Sequence, residues 1–212
     1  AKKMQAEGKS FKPIFGVEAY FTTSVKEWRG AYDEAMADKK RARATKKTAQ
    51  SGATTEDEGN TKAAQPILKR RRHLILLAQN QTGLNNLFKL ISKSYTEEYF
   101  YRYPRMDYDL LREHSEGIIA ASACLGGVYA GNYWENREEG SEAVLEAMRE
   151  TTREMVSIFG DRWYAELQWN NIPEQHELNK YIIQIAKEFD LKMISTADSH
   201  YPDPDAWKDR EM

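Results

Sequence analysis

The stretch LKMISTADSH, residues 191–200, decides the fold. Its apolar run, Leu191-Lys192-Met193-Ile194, reads as a buried strand. Asp198 and His200 follow two positions apart, and Pro202 and Pro204 then mark a turn. In an extended segment, residues i and i+2 point to the same side, so the carboxylate and the imidazole face one space. Such a pair suits Zn2+, Mn2+ or Fe. It suits equally a polar loop opening in which His200 stacks on Tyr201 or Trp207. A site placed where a strand ends is the habit of α/β folds.

Working back from that strand, four more appear: KPIFGVEAYF (12–21), HLILLA (73–78), GIIAAS (117–122) and RWYAELQ (162–168). Helical spacing separates them. Leu84, Leu87, Phe88 and Ile91 form a stripe over 81–95, and DYDLLREH (107–114) is a short helix with acids in its first turn. Leu145, Met148, Val156 and Phe159 mark a helix over 142–159. Leu178, Ile182, Ile185 and Phe189 mark another over 173–189, opened by Pro173 and Glu174. Strands separated by helices predict parallel pairing in an α/β barrel or an open doubly wound sheet. The strands are nearly all apolar, as when both sheet faces are covered.

Residues 23–72 break this pattern. They hold KKRARATKK (39–47), SGATTEDEGN (51–60) and KRRR (69–72), with no apolar period. This composition predicts a charged, mobile surface insertion, irregular or loosely helical. Its basic run could touch a phosphate backbone or simply be solvated.

The composition fits one soluble domain: 212 residues, 41% hydrophobic, 30% charged, net charge −2. A single cysteine excludes an internal disulfide framework and points to a reducing, cytoplasmic setting. No apolar run approaches the ~20 residues of a membrane span, and no signal peptide is visible. The chain opens on Ala1 inside AKKMQAEG, which reads as the end of a helix stopped by Gly8. A piece of a longer protein is therefore expected.

Other candidate residues sit near strand ends. Glu18 interrupts an otherwise apolar strand, so it needs a partner, a metal or water. Cys124 lies in SACLGG, just past a strand, where a lone cysteine also serves as a small buried apolar residue. His73 heads its strand, which is awkward for a site at C-terminal strand ends. His114 and His176 fall in charged helical segments and read as surface residues. Glu166 could be an outer-shell acid or an ion-pair partner.

The spelling and order of these motifs resemble the polymerase and histidinol phosphatase (PHP) domain family of bacterial replicative DNA polymerase III alpha subunits. KPIFGVEAYF is similar to its G-x-E-x-Y strand, and HLILLAQNQTGLNNLFKLIS to its H-L-x-L-L-A segment. EGIIAASACLGG, FGDRWYAELQWNNIPEQHELN and ISTADSHY resemble three further motifs, leaving only 23–72 uncovered. The resemblance implies a distorted (β/α)7 barrel. It puts Glu18, His73, Cys124, Asp198 and His200 at metal-ligand positions, and Glu166 at a position with no implied role. It implies divalent ions (Zn or Mn, with Mg as an alternative) and phosphoesterase or 3′–5′ exonuclease chemistry in intact members.

The family's H-x-H and D-H-G motifs do not occur in these 212 residues, nor do the palm carboxylates of a polymerase. The expectation is thus a partial PHP domain over 1–212, an incomplete barrel and an incomplete site, with little turnover by the chain alone. Implied partners are the rest of the polymerase chain, DNA, and through the holoenzyme a proofreading exonuclease and a sliding clamp; no membrane is implied. Two alternatives stand beside this: a free-standing phosphoesterase of the histidinol phosphatase type, and a metal-free docking module.

Overall fold

A computed structural model describes residues 2–10, 12–49, 71–206 and 208. Its elements run α1 (Lys2–Ala6), β1 (Gly16–Phe21), α2 (Val25–Ala49), β2 (Arg72–Ala78), α3 (Gln81–Ser94) and α4 (Tyr108–His114). Then follow β3 (Ile118–Ala121), α5 (Val128–Asn136), α6 (Ser141–Phe159), β4 (Trp163–Gln168), α7 (Pro173–Glu188) and β5 (Lys192–Thr196).

Local chemistry starts these helices where the sequence places them. Asn80 caps α3 by accepting the Gly83 N–H at 2.9 Å. Asp107 does more: one oxygen accepts the Leu110 N–H in α4 and the other the Val25 N–H of α2, each at 3.0 Å. One buried carboxylate thus serves two helix N-termini, where the backbone dipoles favour negative charge. Gly83 has no room for a side chain, because a Cβ there would lie 1.8 Å from the Gly117 carbonyl oxygen. Helix α3 packs on the approach to β3 through that contact.

The five strands form one sheet in the order β1-β2-β3-β4-β5. The all-parallel expectation is corrected. β3, β4 and β5 are parallel, but β2 runs antiparallel to both β1 and β3. An apolar strand pattern reports covered faces, and a reversed strand is covered as well as a parallel one. The sheet is mixed α/β.

One core lies between sheet and helices. Leu74 and Leu76 of β2, Ala120 of β3 and Ala165 of β4 meet Leu90 of α3, Met148, Met155 and Phe159 of α6, and Leu178, Ile182 and Ile185 of α7. The α6 and α7 stripes match the sequence reading, with Val156 and Phe189 only partly buried. The α3 stripe is rotated: Phe88 is 59% exposed, and Leu90 takes the buried place. At the centre Trp163 Nε1 donates to the Tyr129 hydroxyl at 3.0 Å. That hydroxyl lies 2.7 Å from Thr152 Oγ1, which itself donates to the Met148 carbonyl. Burial pushes the Tyr129 phenol up to about 12.

Two further expectations change. Residues 25–49, read as irregular or loosely helical, form one continuous helix. Its first turn is anchored: Val25 and Trp28 are buried, and Tyr32 stacks on Trp28 at 5.5 Å. The anchors were invisible to period counting because they occupy only the first turns of a polar helix. The rest of the 23–72 reading, residues 50–70, lies outside the described residues. β5, read as buried, is mostly exposed, with Met193 at 47%. It is the edge strand of the described sheet, so its outer side meets no neighbouring strand there.

Candidate metal centre

The reversal of β2 explains where His73 lies. Because β2 runs against β1 and β3, its first residues share an edge of the sheet with the C-terminal ends of the other four strands. The position that looked awkward in sequence is at the mouth. His73 pairs with Tyr20 across the strands, and Glu18 with Ile75, which puts Glu18 diagonal to His73 on one face.

The loop after β3 closes over His73. Its backbone N–H donates to the Gly126 carbonyl at 2.8 Å. A Cβ on Gly126 would lie 3.2 Å from the imidazole, so a glycine lets the loop approach. The Gly126 N–H points to Cys124 Sγ at 3.3 Å. His73 Nδ1 lies 2.5 Å from Glu18 Oε1 and 3.4 Å from Cys124 Sγ. Among the described residues, Glu18, His73 and Cys124 form the cluster whose ligand atoms all lie within 4.8 Å of one another. Burial pushes the Cys124 thiol up, and the carboxylates of Asp198 and Glu18 add to the rise.

A carboxylate oxygen, an imidazole nitrogen and a sulfur are donors that a divalent metal ion can take, Zn2+ among them. Ligands at ~2.0–2.3 Å in a tetrahedron stand about 3.3–3.8 Å apart, which matches the Nδ1–Sγ separation, whereas the 2.5 Å between Glu18 Oε1 and Nδ1 is a direct contact that has to open by about 1 Å to admit an ion.

Asp198 and His200 stand outside this cluster but beside it. Asp198 is near enough to act on the thiol. His200 lines the same cleft as Glu18 and His73, a space of about 680 Å³. The segment after β5 therefore returns over the end of the sheet. The His200 ring is turned to its own segment, with Nδ1 2.7 Å from the Asp198 carbonyl oxygen. Asp198 has φ 52, a left-handed backbone uncommon outside glycine. The remaining histidines differ. His176 is exposed on α7, as read, whereas His114 is half-buried against Glu113 rather than on the open surface.

Glu166 gains a role. It is 5% exposed, and its Oε2 accepts the Ala123 N–H at 3.1 Å while Oε1 accepts the Thr196 hydroxyl at 2.6 Å. Its own N–H donates to Ser122 Oγ at 2.9 Å. One carboxylate thus ties the turn carrying Cys124, where Ala123 has φ 63, to the strand leading to Asp198. The ion-pair alternative is replaced by hydrogen bonds. No sequence signal marked Ser122 and Thr196 as its partners, since the three residues come from three strand ends.

Glu166→Ala should leave the Ala123 N–H and Thr196 hydroxyl unmet, costing about 1–3 kcal/mol in chemical denaturation. The Cys124 thiol should then react faster with a disulfide reagent. Glu166→Gln, whose oxygen can take the N–H and whose amide can meet the hydroxyl, should recover most of both effects. Equal losses in the two variants would show that the charge, and not the two bonds, matters.

A five-stranded α/β sheet with an oxygen, nitrogen and sulfur cluster at its mouth is a scaffold for metal chemistry, and the chain belongs to the PHP domain family, whose model matches residues 1–170. Among curated proteins the chain is similar to DNA polymerase III subunit alpha of Aquifex aeolicus, 39% identical over 204 residues, which are 96% of this chain and 14% of that protein. It is similar also to the same subunit of Thermus aquaticus, 41% identical over 129 residues, 61% of this chain and 10% of that protein. A third is that of Helicobacter pylori strain J99, 40% identical over 148 residues, 68% of this chain and 12% of that protein. The chain spans a small part of the length of these relatives. No helix of the described residues is long and apolar enough to cross a membrane.

Proposed function

We propose that the chain serves as the PHP domain of a bacterial-type replicative DNA polymerase alpha subunit, in the cytoplasm, and that within that subunit its cleft hydrolyses phosphodiesters at the 3′ end of DNA, whereas these 212 residues alone, without the H-x-H and D-H-G motifs, turn over little. The convergence of Glu18, His73 and Cys124 within 4.8 Å carries this reading. These three hold the metal, and Asp198 and His200, beside them, complete its surroundings. Glu18, His73 and Cys124 would hold a divalent ion, Zn2+ or Mn2+ by the donor set, which would supply activation of water and neutralisation of charge on phosphoryl oxygens. Glu166 keeps the Cys124 turn and the Asp198 strand in register. The sheet is part of a distorted barrel. The polymerase chain and DNA are the partners of the domain.

The test is hydrolysis of a 3′-labelled single-stranded oligonucleotide, with Mn2+ or Zn2+ added, by the polymerase subunit that contains this chain. Metal-dependent release of the terminal nucleotide, lost in Asp198→Asn, supports the reading. Release that persists in Asp198→Asn and in Cys124→Ser places the chemistry elsewhere. Folded protein that takes up no metal and releases nothing favours the metal-free docking module.

A further inference from the structure

Residues 95–104, YTEEYFYRYP, bring three aromatic side chains, Tyr95, Phe100 and Tyr103, to one wall of the cleft. Tyr95 and Phe100 stack on each other, with centroids 5.6 Å apart and planes 21° off parallel. They remain 62% and 38% exposed. Beyond them Tyr101 and Tyr103 bridge across Arg102, which occupies the tip of the turn at φ 58. Glycine adopts that conformation without strain, yet the chain has arginine there.

The turn is held from behind. Arg105 is 3% exposed, and its Nη1 donates to the carbonyls of both Tyr101 and Tyr103 at 3.0 Å. Its guanidinium lies 3.9 Å over the Trp28 ring at the start of α2. Burial lowers its pKa to about 10, with the like charges of Arg71 and Arg29 adding to the shift. A buried cation thus fixes a turn whose tip carries a second cation. Among the described residues, no carboxylate forms an ion pair with Arg102, although it lines the cleft that holds Glu18, His73 and His200.

An exposed aromatic stack and an arginine without an acidic partner make a two-part surface. Aromatic faces take nucleobases regardless of sequence. A guanidinium takes phosphate oxygens in a planar fork. The cleft volume, about 680 Å³, falls in the range of ligand sites, ~300–1,000 Å³. A protein segment would gain little from a displayed charge beside two open rings, whereas a nucleic acid end meets both with its own groups.

We propose that this wall is a nucleotide platform for the end of a single DNA strand. Phe100, backed by Tyr95, stacks the terminal base, and Arg102 takes the phosphate joining it to the next nucleotide. The choice of a strand end rests on the phosphodiester reading of the cleft.

The test is fluorescence anisotropy of a short 5′-labelled thymidine oligonucleotide, in EDTA so that binding is read without chemistry. Phe100→Ala should weaken binding roughly tenfold. Arg102→Gly, which suits the left-handed turn, should weaken it and lower the salt slope by about 1. Phe88→Ala, an exposed aromatic on α3, should change nothing. On the unaltered protein, an oligonucleotide lacking its 3′-terminal base should bind as weakly as the intact one binds Phe100→Ala. Equal binding of the abasic and intact strands overturns the proposal, as does an equal loss in Phe88→Ala. Competition by dTMP at the same concentration as the oligonucleotide overturns the strand-end assignment. Base-dependent binding without any hydrolysis under Mn2+ or Zn2+ by the subunit that contains this chain refutes the phosphodiester reading alone. Hydrolysis with base-independent binding refutes the platform alone.

Discussion

His73→Ala is expected to abolish measurable uptake of Zn2+ by the cleft. His73 Nδ1 is the atom that both Glu18 and Cys124 face, at 2.5 and 3.4 Å. Removing it leaves one oxygen and one sulfur with nothing between them. Loss of an outer-shell partner costs roughly 10–100-fold in metal affinity, and loss of a central ligand should exceed that. The measurement is competition for Zn2+ against a chromophoric chelator. His176→Ala, an exposed histidine on α7, is the control and should leave affinity unchanged. Affinity within twofold of the unaltered protein in His73→Ala would remove the cluster from consideration. The pH dependence has a definite sign. Coordination requires the thiolate, and the Cys124 thiol is raised by burial. Uptake therefore releases a proton and strengthens as pH rises toward the thiol's pKa. Cys124→Ser should flatten that dependence.

Trp163→Ala should cost about 3–5 kcal/mol of stability, the range for deleting a large buried aromatic. Trp163 is 1% exposed and begins β4, packed edge to face on Tyr129 at 5.9 Å. The loss has two parts. The cavity left behind removes contacts between β4, α5 and α6. The Tyr129 hydroxyl also loses a donor in a place where burial already disfavours its ionisation. Chemical denaturation gives the number directly. Trp163→Phe should recover much of the packing but not the hydrogen bond. A change below about 1 kcal/mol in the alanine variant would mean that the core collapses into the gap, contrary to its close packing.

The order of strands and helices was legible because each element carries its own period. The α7 stripe and its Pro173 opening are local facts, written within a few residues. The direction of β2 was not legible, since Leu74 and Leu76 are apolar whichever way their strand runs. That one ambiguity hid the reason His73 belongs with Glu18 and Cys124. Their grouping came from motif resemblance, and the geometry supplies its cause in strand pairing. Helix α2 was missed because Trp28 and Val25 anchor it to residues 105 and 107, far along the chain. The same holds for Glu166, whose partners Ala123 and Thr196 are 43 and 30 residues away. The aromatic density of 95–104 was present in the letters, but its meaning depends on the cleft it lines.

Cys124 is the chain's one cysteine, and its sulfur stands in the cluster. The mouth of the sheet therefore has a unique chemical address. A maleimide fluorophore or a spin label has a single thiol to find, and labelling it reports on the mouth of the sheet and nothing else. Zn2+ should shield that thiol from the reagent, so the labelling rate becomes a direct gauge of occupancy in mixtures where catalysis is too slow to follow.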